Sequence, residues 1–141
     1  MIKFLLIVNR QGQLRLRKYF EEKVVTHGEQ REIIRQCLSA VDKQNFLVEF
    51  KDFTVVYKKY GNLYFIAGIT SNENELAVLE LMHHMVETLD KYFDRVSEID
   101  ILYSLDRVHM VIDEMVVNGY ILETSQPRIL VPLQLLDVAR K

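Results

Sequence analysis

The chain has 141 residues, which is enough for one domain and short for two, so we expect one domain spanning residues 1–141. Its hydrophobic fraction of 49% and charged fraction of 27% are those of a soluble globular protein. Eighteen basic and twenty acidic side chains give a net charge of −2. This balance disfavours a nucleic-acid binder, because such proteins usually present a net basic surface.

The sequence offers little for disulfide chemistry or for crossing a membrane. The single cysteine, Cys37, excludes an internal disulfide and a zinc site made of cysteines, and its apolar neighbours predict a buried thiol. No run approaches the roughly 18 uncharged apolar residues that cross a bilayer. Residues 1–7 are mostly apolar, but Asn9 and Arg10 follow without a small-residue cleavage pattern, which indicates a strand and not a signal peptide. We therefore expect a cytosolic protein that reaches membranes through partners.

The first half of the chain has the periodicity of β structure, interrupted once. Residues 2–8 are almost continuously apolar, which predicts a strand covered on both faces, and residues 13–19 alternate as a half-buried strand does. Residues 29–41 change to helical spacing. Three further strands joined by short turns are predicted as an antiparallel meander over residues 46–50, 53–57 and 63–69.

The second half is mostly helical. Asn72, with Glu75 three residues later, has the form of a helix N-cap, and the apolar stripe that follows predicts a long helix reaching Phe93. A second helix is predicted over residues 105–117, where the Asn-Gly pair at 118–119 provides a left-handed stop signal.

The last predicted element is a short helix over residues 133–139, opened by Pro132 near its first turn. The order of elements is then β-β-α-β-β-β-α-α. This order predicts an α+β fold, with a five-stranded antiparallel sheet flanked by helices and a short C-terminal helix.

Motifs typical of enzymes do not occur. None of the five glycines belongs to a Gly-rich phosphate loop or to a Gly-x-Ser-x-Gly nucleophile elbow. His83 and His84 are the one pair worth testing as metal ligands. Zinc needs three or four converging ligands, and each face of the predicted helix adds only one glutamate, at position 80 or 87.

Several carboxylates could in principle supply a general acid and base. They lie among apolar helix positions with no histidine or lysine in phase, which favours solvated or capping roles. These residues are Asp100, Asp106, Asp113 and Glu114. We therefore expect no enzyme, no metal site and no cofactor.

Basic residues cluster around three predicted segments: Arg10, Arg15, Arg17 and Lys18 in the first hairpin, Lys58 and Lys59 before Gly61, and Arg95 after the long helix. Two interpretations stay open. The residues are ordinary solvated side chains, or the sheet gathers some of them into a patch beside exposed apolar groups. Such a patch suits a peptide with an acidic residue and bulky aliphatic ones, because arginine pairs well with carboxylates.

Ordered segments along nearly the whole chain resemble the sigma (small) subunits of heterotetrameric adaptor protein complexes. They are residues 1–4 (MIKF), 9–12 (NRQG), 15–16, 50–53 (FKDF), 56–60 (VYKKY), 63–65, 74–76, 86–87, 89–93 (LDKYF), 96–100 (VSEID), 113–115, 118–119 and 123–125 (ETS). Within this family, residues 115–119 (MVVNG) and 129–133 look most like the sigma subunit of adaptor complex 4.

The resemblance implies a longin-type fold, a non-enzymatic role in vesicle traffic, and a tetramer of two large chains, one medium chain and this small one. Sigma subunits cradle the trunk of a large subunit, and adaptor complex 4 acts without clathrin on the cytosolic face of the trans-Golgi network. We expect the isolated chain to be poorly soluble, because its helical apolar stripes exceed what one small sheet covers.

In clathrin-linked relatives the sigma subunit also binds the acidic dileucine signal of cargo tails, a Glu or Asp four residues before a Leu-Leu or Leu-Ile pair. Carried over by position, Arg15 would pair with the acidic residue of the signal. The leucine pockets would be lined by Leu63, Val86, Val96 and Ile101. Two further positions depart from the family pattern: Gly61, where an alanine is usual, widens the pocket, and Arg95, where a relative has asparagine, puts a charge at its rim.

Four alternatives remain. The chain could be the small subunit of a clathrin-linked adaptor, or that of a COPI-type coat. It could be a stand-alone longin regulator of vesicle fusion, which would be followed by a coiled coil, and no heptads occur up to Lys141. A metal or hydrolytic enzyme centred on His83 and His84 would retain metal on purification.

Overall fold

The computed structural model describes residues 1–21, 25–40, 47–50, 52–122 and 126–139, which form an α+β fold. The strands are β1 (Ile2–Asn9), β2 (Leu14–Tyr19), β3 (Leu47–Phe50), β4 (Phe53–Tyr60), β5 (Leu63–Ile69), β6 (Val116–Val117) and β7 (Tyr120–Ile121). The helices are α1 (His27–Ala40), α2 (Glu75–Phe93), α3 (Glu98–Tyr103), α4 (Leu105–Met115) and α5 (Gln126–Ala139).

The first five strands form one antiparallel sheet in the order β2-β1-β5-β4-β3. Its middle strand, β5, is buried along its whole length, and β1 is buried at all but one residue, as continuous apolar runs predict. β4 and β5 are joined by a two-residue loop. Gly61 occupies the first position of that loop with φ +59°, a left-handed geometry that glycine adopts without strain.

Apolar side chains cover both faces of the sheet. Along β1, Phe4 and Leu6 pack on the α1 side together with Cys37, whereas Leu5 and Ile7 pack on the opposite side with α2, α4 and α5. This alternation follows from the two-residue period of a strand. The fold therefore has three layers, with one helix on one face of the sheet and the remaining helices on the other.

β6 and β7 form a second, two-stranded sheet. The expectation of one sheet was therefore wrong, and so was the predicted end of the helix over residues 105–117. α4 ends at Met115, and the β-branched pair Val116–Val117 is extended instead. Asn118 and Gly119 both have positive φ, 51° and 86°, and form the turn of this hairpin. Two consecutive left-handed residues suit a two-residue hairpin loop, so the Asn-Gly pair joins two strands here and does not end a helix.

Helix starts were also predicted incorrectly at two places. The N-cap of α2 is Asn74, whose side chain accepts hydrogen bonds from the backbone N–H groups of Leu76 and Ala77, so the predicted cap at Asn72 was wrong. The last helix is not short: it begins at Gln126, and Pro132 lies inside it. Pro127, its second residue, fills the first turn, where a missing N–H costs nothing.

α3 is absent from the predicted order, although its signal is present in the sequence. Ser97 accepts a hydrogen bond from the backbone of Asp100, and the Asp100 carboxylate accepts one from the backbone of Ser97. This reciprocal pair is a capping box, and it starts a helix of six residues after the short segment 94–97 that follows α2. Parts of the predicted α1 and β3, at residues 41 and 46, lie outside the described residues.

The C-terminal helix is held by a buried cation. Arg107 of α4 is 5% exposed and its Nη2 lies 3.0 Å from Asp137 Oδ1 on α5. Its Nε also donates to the hydroxyl of Tyr92 on α2, at 3.2 Å. These contacts join the three helices of one layer. Within the described residues no helix is long and apolar enough to span a bilayer.

Candidate functional site

A surface cavity of about 310 Å³ lies where the β4–β5 loop meets the second half of α2 and the segment after it. It is lined by Tyr60, Gly61, Leu63, Phe65, Val86, Asp90, Arg95 and Val96. Five of these were predicted as site residues: Gly61, Leu63, Val86, Arg95 and Val96. The structure therefore brings together residues that are up to 35 positions apart (96 − 61).

The sheet supplies one wall of the cavity. Leu63 begins β5 directly after the tight loop and is 3% exposed. The ring of Tyr60 at the end of β4 meets Phe65 edge to face, with centroids 5.6 Å apart. These contacts hold the aromatic side chains in place beside the cavity.

Helix α2 supplies the opposite wall. Val86 and Asp90 lie one turn apart and therefore on the same face of the helix. Val86 is largely buried and apolar, whereas Asp90 brings a carboxylate to the cavity. Position 90 was not predicted as a site residue, and its spacing from Val86 was the available signal.

The segment after α2 forms the rim, and its backbone is constrained. Asp94 and Arg95 both have positive φ, 55° and 76°. The backbone N–H of Arg95 donates to the Asp90 carbonyl at 3.0 Å, and the N–H of Val96 donates to Asp90 Oδ1 at 2.9 Å. Asp90 thus holds the rim against the cavity through both its backbone and its side chain.

Arg15 is placed outside the cavity lining and already has a carboxylate partner. Its Nε lies 2.6 Å from Glu98 Oε1 on α3, and its Nη2 donates to Gln13 Oε1 at 2.8 Å. Asn9 Nδ2 donates to the same oxygen of Glu98, also at 2.8 Å. The hydrogen bonds from Asn9 and from Arg15 lower the pKa of Glu98, so this carboxylate is ionised at neutral pH.

Ile101 does not line the cavity. It is fully buried in the larger apolar cluster, where α3 packs over the sheet. Its predicted place in a leucine pocket is therefore not seen in this structure, because the inward face of α3 points to the core.

Four of the other predicted basic residues have individual partners within the chain. Lys18 forms an ion pair with Asp113 of α4. Three others lie over aromatic rings of the sheet: Arg17 over Tyr19, Lys58 over Tyr60 and Lys59 over Tyr64, at 5.5, 5.7 and 5.9 Å from the ring centroids. Such cation–π contacts stabilise the surface of a sheet whether or not that surface binds a ligand, so they do not distinguish the two interpretations of the basic residues.

His83 and His84 line a second, more open groove of about 610 Å³, which is bounded by α2 and by Lys58 of β4. His83 Nε2 is 2.5 Å from Glu87 Oε1, one helical turn away, and its ring faces Tyr60. Across the residues that the structure describes, no group of three or more His, Cys, Asp or Glu side chains converges as a metal site would require.

Cys37 is fully buried against the α1 face of the sheet. Burial raises the pKa of its thiol to about 12, because a thiolate would lose its hydration there. The thiol therefore remains protonated at neutral pH and lacks the character of a nucleophile.

Comparison with known proteins gives a consistent result over the whole chain. The family model of the clathrin adaptor complex small chain matches residues 1–140. AP-4 complex subunit sigma-1 of Homo sapiens is 48% identical over 139 residues, covering 97% of this chain and 96% of that one. AP-4 complex subunit sigma of Arabidopsis thaliana is 46% identical over 143 aligned positions, covering 98% of each.

More distant relatives agree. AP-1 complex subunit sigma-3 of Homo sapiens is 40% identical over 132 residues, covering 89% of this chain and 83% of that one. A chain in a structure described as a homology model of the full-length AP-3 complex in a stretched open conformation superposes with a TM-score of 0.74. It is 29% identical, and the match covers 99% of this chain and 95% of that one.

Proposed function

The chain belongs to the family of clathrin adaptor complex small chains, and from this membership we propose that it is the small subunit of a vesicle-coat adaptor complex of the AP-4 type. The observation that carries the proposal is full-length similarity, at 46–48% identity, to sigma subunits of AP-4 from an animal and a plant. Similarity to the AP-1 relative is lower, which favours AP-4 over a clathrin-linked adaptor.

The proposed role is to hold partners and not to catalyse a reaction. We assign one longin-type domain to residues 1–141, bound to large and medium subunits on the cytosolic face of the trans-Golgi network. Exposed apolar side chains support a protein-binding role, because a chain that functions alone rarely leaves so many uncovered. On α3 and α5 they are Ile99, Leu102, Tyr103, Val131, Leu135 and Val138.

A finer proposal concerns cargo. The cavity between the β4–β5 loop and α2 has apolar walls from Leu63, Val86 and Val96, and these suit aliphatic side chains such as the leucines of a sorting signal. Arg15 would pair with the acidic residue four positions before the leucine pair. Glu98 already binds the Nε of Arg15, so an acidic residue of the signal would compete with Glu98 or use the remaining N–H groups of the guanidinium.

The subunit assignment is tested by isolating the full chain from cells. A tagged copy is expressed at native level and the co-purifying proteins are identified by mass spectrometry. We expect one large-chain pair and one medium chain of an adaptor complex, in amounts equal to the tagged chain. Recovery of the folded chain without any adaptor subunit would overturn the proposal.

A matched control separates specific assembly from adhesion of an unfolded chain. A Cβ atom at Gly68 would lie 2.1 Å from Phe4 Cε1 in the core, so Gly68→Val should unfold the chain. This variant is expected to lose the adaptor subunits while keeping any proteins that adhere to exposed apolar segments.

A further inference from the structure

We infer that Arg95 makes the cavity selective for a peptide with an acidic residue directly beside the aliphatic pair, in addition to any acid four positions upstream. The inference rests on the proposed binding of aliphatic signals in this cavity. It assigns to a rim residue the recognition of a second acidic position, which Arg15 does not serve.

Arg95 is a cation available to a ligand. It is exposed and lines the cavity, and within the described part of the chain no carboxylate lies within ion-pair distance of its guanidinium. Arg15 differs in both respects, since it is absent from the lining and is bound to Glu98 at 2.6 Å. An acidic group next to a side chain in the cavity would therefore meet Arg95 first.

The backbone conformation fixes the position of Arg95 at the rim of the cavity. Arg95 is the second of two consecutive left-handed residues, with φ 76°, a conformation that residues with a side chain rarely adopt. Two bonds to Asp90 hold it there: the N–H of Arg95 to the carbonyl and the N–H of Val96 to Oδ1. This C-terminal cap of α2 holds Arg95 at the rim of the cavity.

Asp90 provides a charge of opposite sign in the same cavity, so it can be changed to test the role of Arg95 independently. Its carboxylate accepts the N–H of Val96 at 2.9 Å and is not within ion-pair distance of Arg95. An acidic ligand would thus be attracted by Arg95 and repelled by Asp90. Changes at the two positions must shift the preference for an acidic peptide in opposite directions.

The test measures peptide binding by fluorescence anisotropy, using the full chain in the assembly recovered through its tag. Three synthetic peptides share one sequence with a neutral residue four positions before the leucine pair. The first has Glu on both sides of Leu-Leu, the second has Gln there, and the third has Glu with Ser-Ser in place of Leu-Leu. The preference is the ratio of the Kd of the Gln peptide to that of the Glu peptide.

For the natural chain we expect a preference of about threefold, the range of an exposed ion pair, falling as salt is raised. Arg95→Asn should reduce it to about one or below, and asparagine tolerates the left-handed backbone. Arg95→Lys should restore most of it. Asp90→Asn, which keeps an acceptor oxygen for Val96, should raise it. The matched control Arg35→Asn, at an exposed arginine of α1 outside the cavity lining, should leave it unchanged.

The outcomes separate this inference from the proposal on which it rests. Equal binding of the Glu and Gln peptides, or an undiminished preference in Arg95→Asn, overturns the role of Arg95 while leaving leucine recognition intact. Binding of the Ser-Ser peptide as tight as that of the Leu-Leu peptides, or no binding of any of them, overturns the cavity as a leucine site and the inference with it.

Discussion

Replacing Val96 with phenylalanine should close the cavity to aliphatic ligands. Val96 is half-buried at the rim and packs against the larger apolar cluster, so a bulkier ring is directed into the space that a ligand would occupy. Burying one leucine side chain contributes roughly 1.5–3 kcal/mol. Loss of that contribution weakens binding by about 10- to 100-fold. The hydrogen bond from the N–H of Val96 to Asp90 involves the backbone and is kept.

The measurement is the Kd of a Leu-Leu peptide for Val96→Phe and for a matched variant, Val117→Phe, at an exposed position of β6. Both variants make the same chemical change, and the second should bind as the natural chain does. Circular dichroism and melting temperature establish that each is folded. Binding by folded Val96→Phe at the natural affinity would show that the leucines enter elsewhere.

Three further predictions concern stability. The pKa of Cys37 is about 12 in the folded chain and near 8.5 in the unfolded chain, so its contribution to the free energy of unfolding is complete below pH 8.5 and is lost above it, by about 1.4 kcal/mol per pH unit. Urea unfolding at pH 8.5 and 10 should show this loss in the natural chain and not in Cys37→Ala; an equal pH dependence of stability in the two chains would contradict it. Gly68→Ala should destabilise the chain by about 1–3 kcal/mol, because the added Cβ clashes with Phe4. Gly28→Ala in α1 should not, because its Cβ would meet only Thr26 Oγ1, at an ordinary contact distance of 3.9 Å. Equal melting temperatures of the two variants in calorimetry would refute the clash. The pKa of Glu98 is lower in the folded chain than in the unfolded chain, so its contribution to stability is present above the unfolded pKa and is lost as pH falls through the folded value. The melting temperature of the natural chain should therefore exceed that of Glu98→Gln by less at pH 3 than at pH 6; a constant difference would be inconsistent with the ion pair.

The main sheet was predictable because strand signals are local. Residues 2–8, which are apolar except for Lys3, form a strand covered on both faces. The small sheet was not predictable in the same way. Val116 and Val117 continue the apolar spacing of α4, and only their pairing with Tyr120 and Ile121 makes them extended. The start of α5 likewise depends on packing. Both Pro127 and Pro132 could occupy the first turn of a helix, so the sequence does not distinguish the two starts.

The candidate site was predictable mainly through family resemblance. Periodicity alone would not place Gly61 and Arg95 on one cavity, because the fold of β4, β5 and α2 brings them together. The ion pair between Arg15 and Glu98 joins residues 83 positions apart and depends on α3 docking on β2. Since α3 was not predicted, its carboxylate was not expected beside Arg15. Asp90 could have been found, one helical turn beyond Val86.

The decisive experiment for the proposed subunit role is the mass of the native assembly. The tagged chain is expressed at its natural level, isolated under gentle conditions and examined by native mass spectrometry. A small subunit of an AP-4-type adaptor should appear in one species that contains a single copy of this 16.7 kDa chain together with two large chains and one medium chain. A folded chain found only as a monomer or as copies of itself would rule out the proposed adaptor subunit.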